Sequence, residues 1–377
     1  MSTFLDTRMM ARALSLARRA QYSAMPNPHV GCVLVRDGHV IGEGWTQAAG
    51  GPHAEIEALA AAGDATGATA YVSLEPCNHH GKTGPCTEAL IAAGVSRLVA
   101  AMQDPNPQVA GAGLARLQTA GVEVSCGLLA DEAEALNAGF VARMTRGRGR
   151  VRVKLAMSAD GRTAMASGDS QWITGAAARQ DVQRLRAGSC AVVTGSGTVL
   201  ADDCSLTVRE TELGLPTEQA RTAAARQPLR VVLDSRLQTP ETARVMDGRA
   251  PTLVCFDEDQ TPPAADGHSV TYLPLPSAEG GLSLQSLMAE LAHRQCNEIL
   301  VESGPRLAGS MLQAGLVDEL IVYMAPVLLG ERARPLLALP LDTMAQKVSL
   351  ECRDARQVGV DWRFTYIPAD TAKTIQD

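Results

Sequence analysis

Two short stretches of the 377-residue chain carry side chains whose types and spacing could do metal chemistry: "HAE" at 53–55 and "EPCNHHGKTGPC" at 75–86. His53, Cys77 and Cys86 offer one imidazole and two thiolates, each at the end of an expected strand or helix, where a side chain can point into a cleft. Three such ligands suit a catalytic Zn2+ ion, which keeps a fourth position for water. Cys86 opens an expected helix, where unpaired N–H groups favour a thiolate. Water on such an ion loses a proton near neutral pH and attacks an electron-poor carbon, after which a leaving amine needs a proton. Glu55, two residues beyond the histidine, is spaced to carry that proton as general acid and base without touching the metal. The competing arrangement is a closed structural knuckle with His79, His80 or Cys32 as fourth ligand, in which Glu55 has no role. Glu57 gains nothing from either arrangement and reads as a solvated charge.

The elements that must position these groups follow from periodicity. "VGCVLVRDGHVIGEGW" from residue 30 reads as two strands joined at Asp37-Gly38, a strong hairpin signal. A helix runs from about Pro52 to Gly63, a buried strand over 68–76, and a second helix from Pro85 to Ala93 that stops at Gly94. Strands at 95–102 and 122–127 flank a helix at 111–121, and 130–144 reads as one helix. Met9, Ala13, Leu16 and Ala20 make an apolar stripe on an N-terminal helix. Such alternation predicts an α/β sheet covered by helices. "TRGRGR" at 145–150 has little to bury and reads as a solvated linker, dividing the chain into domains 1–146 and 150–377.

The second half reads as another α/β domain. It opens with a strand at 151–158 and a loop over 159–174, with Thr174 as N-cap of a helix. A strand at 190–200 follows, then strands in "LRVVLDS", "TLVCF", "EILVES", "ELIVYMAP" and "VDWRFTYIP", and helices at 283–293 and 305–314. Residues 211–227 fit helix and loop equally. "TGSGT" and "ESGPRLAGS" offer Gly-rich backbone for a phosphate, though neither is the Gly-x-Gly-x-x-Gly dinucleotide fingerprint. Arg186 and Arg209 are forked donors fit for a phosphate. Lys154 stands among apolar strand residues, where an unpaired ammonium is costly, so it is expected to be paired or functional.

Composition narrows the function classes. A net charge of −7 and only 3% aromatic residues disfavour a nucleic-acid-modifying enzyme, which needs a basic groove and stacking platforms. No run approaches the roughly 20 apolar residues that span a bilayer. Nine scattered cysteines, an odd number, fit a reducing cytoplasm better than a disulfide framework. A noncatalytic zinc protein that senses a nucleotide remains an alternative on composition alone.

Taken together, "NPHVGCVLV", "SLEPCNHHGKTGPC", "MQDPNPQVAGAG", "SADGRTAMASGDSQWIT", "TVLADD" and "VESGPRLAGSMLQAGLVDEL" resemble the bifunctional riboflavin-biosynthesis pyrimidine deaminase/reductase family over nearly the whole chain. Gly84 departs from an expected proline. The resemblance implies an N-terminal cytidine-deaminase-like three-layer α/β/α domain and a C-terminal dihydrofolate-reductase-like α/β domain. It implies a phosphorylated aminopyrimidine as substrate, met by Asn27, His79 and Lys82 in the first half and by Ser170, Arg186, Leu206, Arg209 and Glu302 in the second. NADPH would meet Ala156, Trp172, Thr198, Asp202, Ser235 and the run Gly304, Pro305, Arg306, Leu307, Ala308, Gly309 and Ser310. Lys154 and Asp202 would serve the proton side of hydride delivery. Trp172 would wall the nicotinamide or substrate ring, a core filler being its alternative. A homo-oligomer is also implied.

Overall fold

The computed structural model describes residues 3–79, 84–107, 109–263 and 269–369. The chain divides after Gly147 into two compact units. In the first, helix α1 (Phe4–Ala17) precedes strands β1 (Gly31–Arg36) and β2 (His39–Trp45), helix α2 (Ala54–Ala62), strand β3 (Thr69–Val72) and helix α3 (Cys86–Ala92). Strand β4 (Arg97–Ala100), helix α4 (Ala112–Thr119), strand β5 (Glu123–Cys126) and helices α5 (Ala130–Leu136) and α6 (Ala138–Arg146) complete it.

The five strands form one sheet in the order β2-β1-β3-β4-β5, with β1 antiparallel to β2 and β3 and the remaining pairs parallel. Asp37 and Gly38 turn the hairpin with φ of 52° and 77°, the left-handed pair that matches strand twist. Two glycines show how the layers close. A methyl on Gly31 would lie 2.0 Å from the Ala13 carbonyl oxygen of α1, and one on Gly44 2.3 Å from the Ala54 carbonyl oxygen of α2. Gly44 pairs with Cys32, the neighbour of Gly31, so the two glycines face opposite sides of the sheet. Helices α1 and α2 therefore cover opposite faces, giving the α/β/α arrangement.

Asp6 ties α1 to the sheet. Its carboxylate accepts from the Tyr71 hydroxyl at 2.7 Å and from Arg97 Nη1 at 2.8 Å, while also receiving the Thr3 N–H at the helix start. The expected single helix over 130–144 is instead two, broken at Asn137. Its buried side chain accepts the His29 N–H at 2.7 Å and donates to the His29 carbonyl at 2.9 Å, a tertiary pairing that replaces helix continuity.

The second unit contains strands β6 (Arg150–Ser158) and β7 (Arg162–Ala164), helix α7 (Ala176–Ala187), strand β8 (Ala191–Gly195), helices α8 (Ser196–Asp202) and α9 (Thr217–Ala225), and strands β9 (Leu229–Leu233), β10 (Thr252–Asp257) and β11 (Val270–Leu275). A ribbon of β12 (Ser277–Ala278) and β13 (Gly281–Leu282) leads to helix α10 (Leu284–His293), strand β14 (Glu298–Glu302), helix α11 (Pro305–Gln313), strands β15 (Glu319–Ala325) and β16 (Arg334–Pro335), and the hairpin β17 (Leu350–Val358) and β18 (Asp361–Pro368). Nine strands make one sheet in the order β11-β10-β9-β8-β14-β6-β15-β18-β17, parallel from β11 to β15 and antiparallel beyond. Alternation sorts its side chains. Val193, Val301 and Val322 join the core under α10 and α11, whereas Val192, Leu300 and Tyr323 join the core under α7.

Three expectations need correction here. The strand expected over 190–200 stops at Gly195, and "SGTVLAD" coils into α8. Thr174 does not cap α7; Gly175 is the N-cap, and its N–H is received at 2.7 Å by Asp361, a fully buried carboxylate distant in sequence. The "TRGRGR" stretch is no solvated linker beyond Gly147, because Arg148 makes a two-pronged pair with Asp318 (2.6 and 3.1 Å) and Arg150 pairs with Glu298 and Glu319. Strands β11 and β17 were not expected, and α9 resolves the ambiguous 211–227 segment.

Candidate active sites

His53 is the N-cap of α2, Cys77 follows β3 by five residues, and Cys86 is the first residue of α3. Their Nδ1 and Sγ atoms all lie within 4.8 Å of one another, and among the described residues this is the sole such cluster. His53 Nδ1 is 3.3 Å from Cys86 Sγ and 3.5 Å from Cys77 Sγ. Zinc–nitrogen and zinc–sulfur bonds of about 2.1 and 2.3 Å at a tetrahedral angle put ligand atoms roughly 3.6 Å apart, so the three donors fit that ion. Cys32 and His79 stand outside the cluster, and His80 lies outside the described residues.

The electrostatics favour a thiolate here. Contact with Cys86 draws the Cys77 thiol well below its ordinary range, with His53 adding to the effect, and the Cys86 N–H points at Cys77 Sγ from 3.4 Å. Glu55, 4% exposed in the first turn of α2, has its carboxyl pushed up to about 7, first by burial and then by the charge at Cys77. A carboxyl poised there can both take and give a proton. Cys32 lies near enough to Glu55 that the carboxylate, after burial, raises its thiol further. Glu57 is half-buried beside Gly44.

Sequence reasoning missed Glu75. Its carboxylate is 4% exposed and accepts four backbone N–H groups: Asp104 and Gly111 on Oε2 at 3.0 and 2.9 Å, and Gly113 and Leu114 on Oε1 at 2.8 and 3.3 Å. It holds the backbone at Asp104 and at Gly111 and the start of α4 against the segment that leads from β3 to Cys77. The one available signal was an acid in the otherwise apolar "YVSLEP". Asn27 sits half-buried in a turn with its N–H on the Ala24 carbonyl, and His79 is exposed. Lys82 lies outside the described residues.

In the second unit a cleft of about 1840 Å³ opens at the C-terminal ends of the parallel strands. It is lined by Lys154, Ala156, Ser170, Trp172, Arg186, Thr198, Asp202, Leu206, Arg209, Ser235, Glu302, Gly304, Pro305, Arg306, Leu307 and Ser310. Ala308 and Gly309 do not line it: Ala308 is in the core, and a methyl on Gly309 would lie 2.1 Å from the Ala338 carbonyl oxygen. Eight cationic residues line the cleft (Lys154, Arg179, Arg186, Arg209, Arg236, Arg244, Arg306 and Arg334) against four acids (Asp202, Asp203, Glu279 and Glu302). An acidic chain thus concentrates positive charge where an anionic ligand would enter.

Arg186 differs from expectation. Its Nε and Nη2 engage both oxygens of Glu302, and its Nη1 donates to the Thr207 carbonyl at 3.2 Å, which leaves little of the fork for a phosphate. Arg209 is more exposed and pairs with Glu212. Lys154 lies opposite Glu302 in the β6–β14 register. Burial lowers its ammonium below the ordinary value, with Glu302 opposing. Ser170 Oγ reaches Asp202 Oδ1 at 3.4 Å. Trp172 is no core filler: it is 70% exposed at the cleft wall, with the Arg179 guanidinium 4.8 Å over its ring.

Comparison with known proteins agrees with this two-site reading. Residues 4–102 match the cytidine and deoxycytidylate deaminase zinc-binding region, and residues 150–364 match the RibD C-terminal domain. The riboflavin biosynthesis protein RibD of Escherichia coli is 53% identical over 359 residues, covering 94% of this chain and 97% of that protein. The chain belongs to the RibD family. Like other RibD proteins it is a bifunctional deaminase and reductase of riboflavin biosynthesis. The Acinetobacter baumannii RibD structure superposes with a TM-score of 0.89 at 45% identity, covering 97% of this chain and 99% of that one. A Thermotoga maritima structure, described as a diaminohydroxyphosphoribosylaminopyrimidine deaminase/5-amino-6-(5-phosphoribosylamino)uracil reductase, superposes with a TM-score of 0.84 at 31% identity over the same shares. Among the described residues, no helix is long and apolar enough to cross a membrane.

Proposed function

We propose that this RibD protein takes 2,5-diamino-6-(5-phosphoribosylamino)pyrimidin-4(3H)-one, replaces its exocyclic amino group with oxygen in the 1–146 domain, and reduces the ribosyl group of the product to a ribityl chain in the 150–377 domain. The observation that carries this is the His53, Cys77 and Cys86 cluster with the buried Glu55 carboxyl beside it. Zinc held by the three side chains supplies Lewis acidity and lowers the pKa of water. Glu55 takes the proton of the attacking water and returns it to the departing amine, so that ammonia leaves as the carbonyl forms. Asn27 hydrogen-bonds the pyrimidine, while His79 and Lys82 meet the rest of the substrate.

In the reductase cleft NADPH, held by the residues named below, would supply a hydride for the ribosyl carbon of the opened imine form. Lys154, with its ammonium pK lowered by burial, donates a proton toward the imine nitrogen, and Asp202 helps restore it. Arg209 and the other cleft cations hold the substrate phosphate, with Arg186 acting mainly through Glu302. Ala156, Trp172, Thr198, Ser235 and the Gly304–Ser310 turn seat the cofactor, Ala308 and Gly309 by packing the turn rather than by contact. The protein acts on this small molecule as a cytoplasmic homo-oligomer. The test is a paired assay on one purified sample with its zinc measured: ammonia release from the diaminopyrimidine, then NADPH oxidation by the deaminated product. A zinc-loaded, folded sample that releases no ammonia, or that binds NADPH without oxidising it, sinks the corresponding half.

A further inference from the structure

Residues 203–209 belong to no helix or strand, yet Leu206, Thr207 and Val208 are buried, and Ser205, Leu206 and Arg209 line the reductase cleft. A buried irregular segment must find partners for its peptide groups outside any ladder. We propose that Gln183 and Gln227 are positioning residues for the substrate: they clamp this segment so that Arg209 meets the phosphate, and so set the KM for the deaminated intermediate. This rests on the reading that Arg209 holds the substrate phosphate.

Side chains from separate elements hold the segment. Gln227, just beyond α9, engages both polar groups of Val208: its Oε1 accepts the Val208 N–H at 2.8 Å and its Nε2 donates to the Val208 carbonyl at 3.0 Å. One amide thus does what a neighbouring strand would do, because it carries an acceptor and a donor side by side. A second bond from Nε2, to the Ala224 carbonyl at 3.0 Å, ties that amide to the last turn of α9. Gln183, 2% exposed on α7, accepts the Arg209 N–H on its Oε1 at 3.0 Å. Three residues on, Arg186 reaches the Thr207 carbonyl at 3.2 Å, and from β9 the buried Arg230 reaches the Ser205 carbonyl at 3.3 Å. The two arginines are also committed to Glu302 and Asp247. The two glutamines alone hold Val208 and the Arg209 N–H.

Leu206 shows what the clamp works against. Its φ of 53° is left-handed, a conformation that costs an L-residue free energy and persists only where the surroundings over-determine it. With Val208 released, Leu206 can relax toward an ordinary φ and carry Arg209 with it. The Arg209 guanidinium has no comparable anchor, since its partner Glu212 lies three residues on and both side chains are nearly half-exposed. A cation on a loose stem pays an ordering cost when it meets a phosphate; a stem fixed at its own N–H and at the preceding peptide has paid it on folding. The clamp therefore bears on substrate affinity rather than on hydride transfer.

The test is steady-state NADPH oxidation by the deaminated product, with NADPH affinity measured by calorimetry, on the full chain as wild type, Gln183→Met, Gln227→Met, Arg209→Ala and Gln227→Met with Arg209→Ala. Each glutamine variant should raise the KM for the deaminated product by about five- to fiftyfold, with kcat and NADPH affinity changed by less than about threefold. In the Arg209→Ala background Gln227→Met should add less than about twofold, because the group it positions is gone. Retained NADPH binding shows that a variant is folded; if Gln183→Met, in the core, does not fold, the half-buried Gln227→Met carries the same prediction. An unchanged KM in Gln227→Met overturns the assignment, as does a matching loss of NADPH affinity or a KM effect undiminished in the Arg209→Ala background. An Arg209→Ala enzyme with the wild-type KM overturns instead the reading that Arg209 holds the phosphate.

Discussion

Arg186 and Glu302 lock together on the floor of the reductase cleft, Nε to Oε1 at 2.5 Å and Nη2 to Oε2 at 3.0 Å, joining α7 to the end of β14. Both side chains are about nine-tenths buried. Burial pushes the Glu302 carboxyl up, but Arg186 and then Lys154 more than offset it, leaving it below the usual range. Arg186→Met strands a buried carboxylate and should destabilise the second unit by about 3–5 kcal/mol in urea unfolding at neutral pH. A depressed carboxyl stabilises the fold above its unfolded value, about 4.3, and loses that contribution as pH falls through the lower folded value. The Arg186→Met penalty should therefore shrink in acid; a penalty independent of pH would assign it to packing.

Glu55→Gln keeps the size of the side chain and removes its base. Ammonia release should fall by about 10²- to 10⁴-fold while zinc content and NADPH oxidation by the deaminated product stay at wild-type levels. Undiminished ammonia release would take the proton-carrying role away from Glu55.

Stripping the metal with a strong chelator should abolish ammonia release, and added zinc should restore it. Reductase turnover should persist, because every residue lining its cleft belongs to the second unit. Cys86→Ser should reproduce the chelated state in a zinc measurement.

Asp6 makes the first unit acid-sensitive. The Arg97 guanidinium holds its carboxyl well below the usual carboxylate range, against burial. The stabilisation is complete above the unfolded value of about 3.9 and is lost as pH falls through the folded one. Thermal midpoints of the wild type should drop more steeply below about pH 4 than those of Asp6→Asn; parallel curves would refute the linkage.

Glu75→Ala leaves four buried or half-buried N–H groups without their acceptor. The first unit should lose at least about 3 kcal/mol, read by thermal unfolding. Glu75→Gln, which turns a donor toward two of those N–H groups, should cost a comparable amount.

What the sequence disclosed and what it hid have a common physical basis. The Asp37-Gly38 hairpin, the helix after His53 and most strands of both sheets, β11 and β17 excepted, are written in local periodicity and turn chemistry, and these elements formed close to where expected. The triad of His53, Cys77 and Cys86 was visible because residue type and spacing mark it, with His53 and Cys86 at helix starts; the strand expected to carry the chain to residue 76 stops at Val72, so Cys77 lies in the loop beyond it. Glu75, Asn137 and Asp361 were not, since each acts on backbone between 29 and 186 residues away, and no local pattern encodes a partner that distant. Arg186 looked like a free phosphate ligand for the same reason: its partner lies 116 residues on. Strand β17 escaped notice because nearly every residue in it is exposed, so it has no apolar alternation to read.

That exposed strand bears on how the protein behaves in a crowded solution. β17 ends the nine-stranded sheet, and a free backbone edge can recruit a strand from another molecule and seed aggregation. Glu351, Arg353, Asp354 and Arg356 fill it with alternating charge, paired Arg353 to Glu351 at 3.2 Å and Arg356 to Asp354 at 3.4 Å, and a bulge between Cys352 and Asp354 interrupts its register. An incoming strand would have to strip water from these ions and follow a bent template. The polar composition that hid β17 from periodicity is what keeps its edge from becoming adhesive.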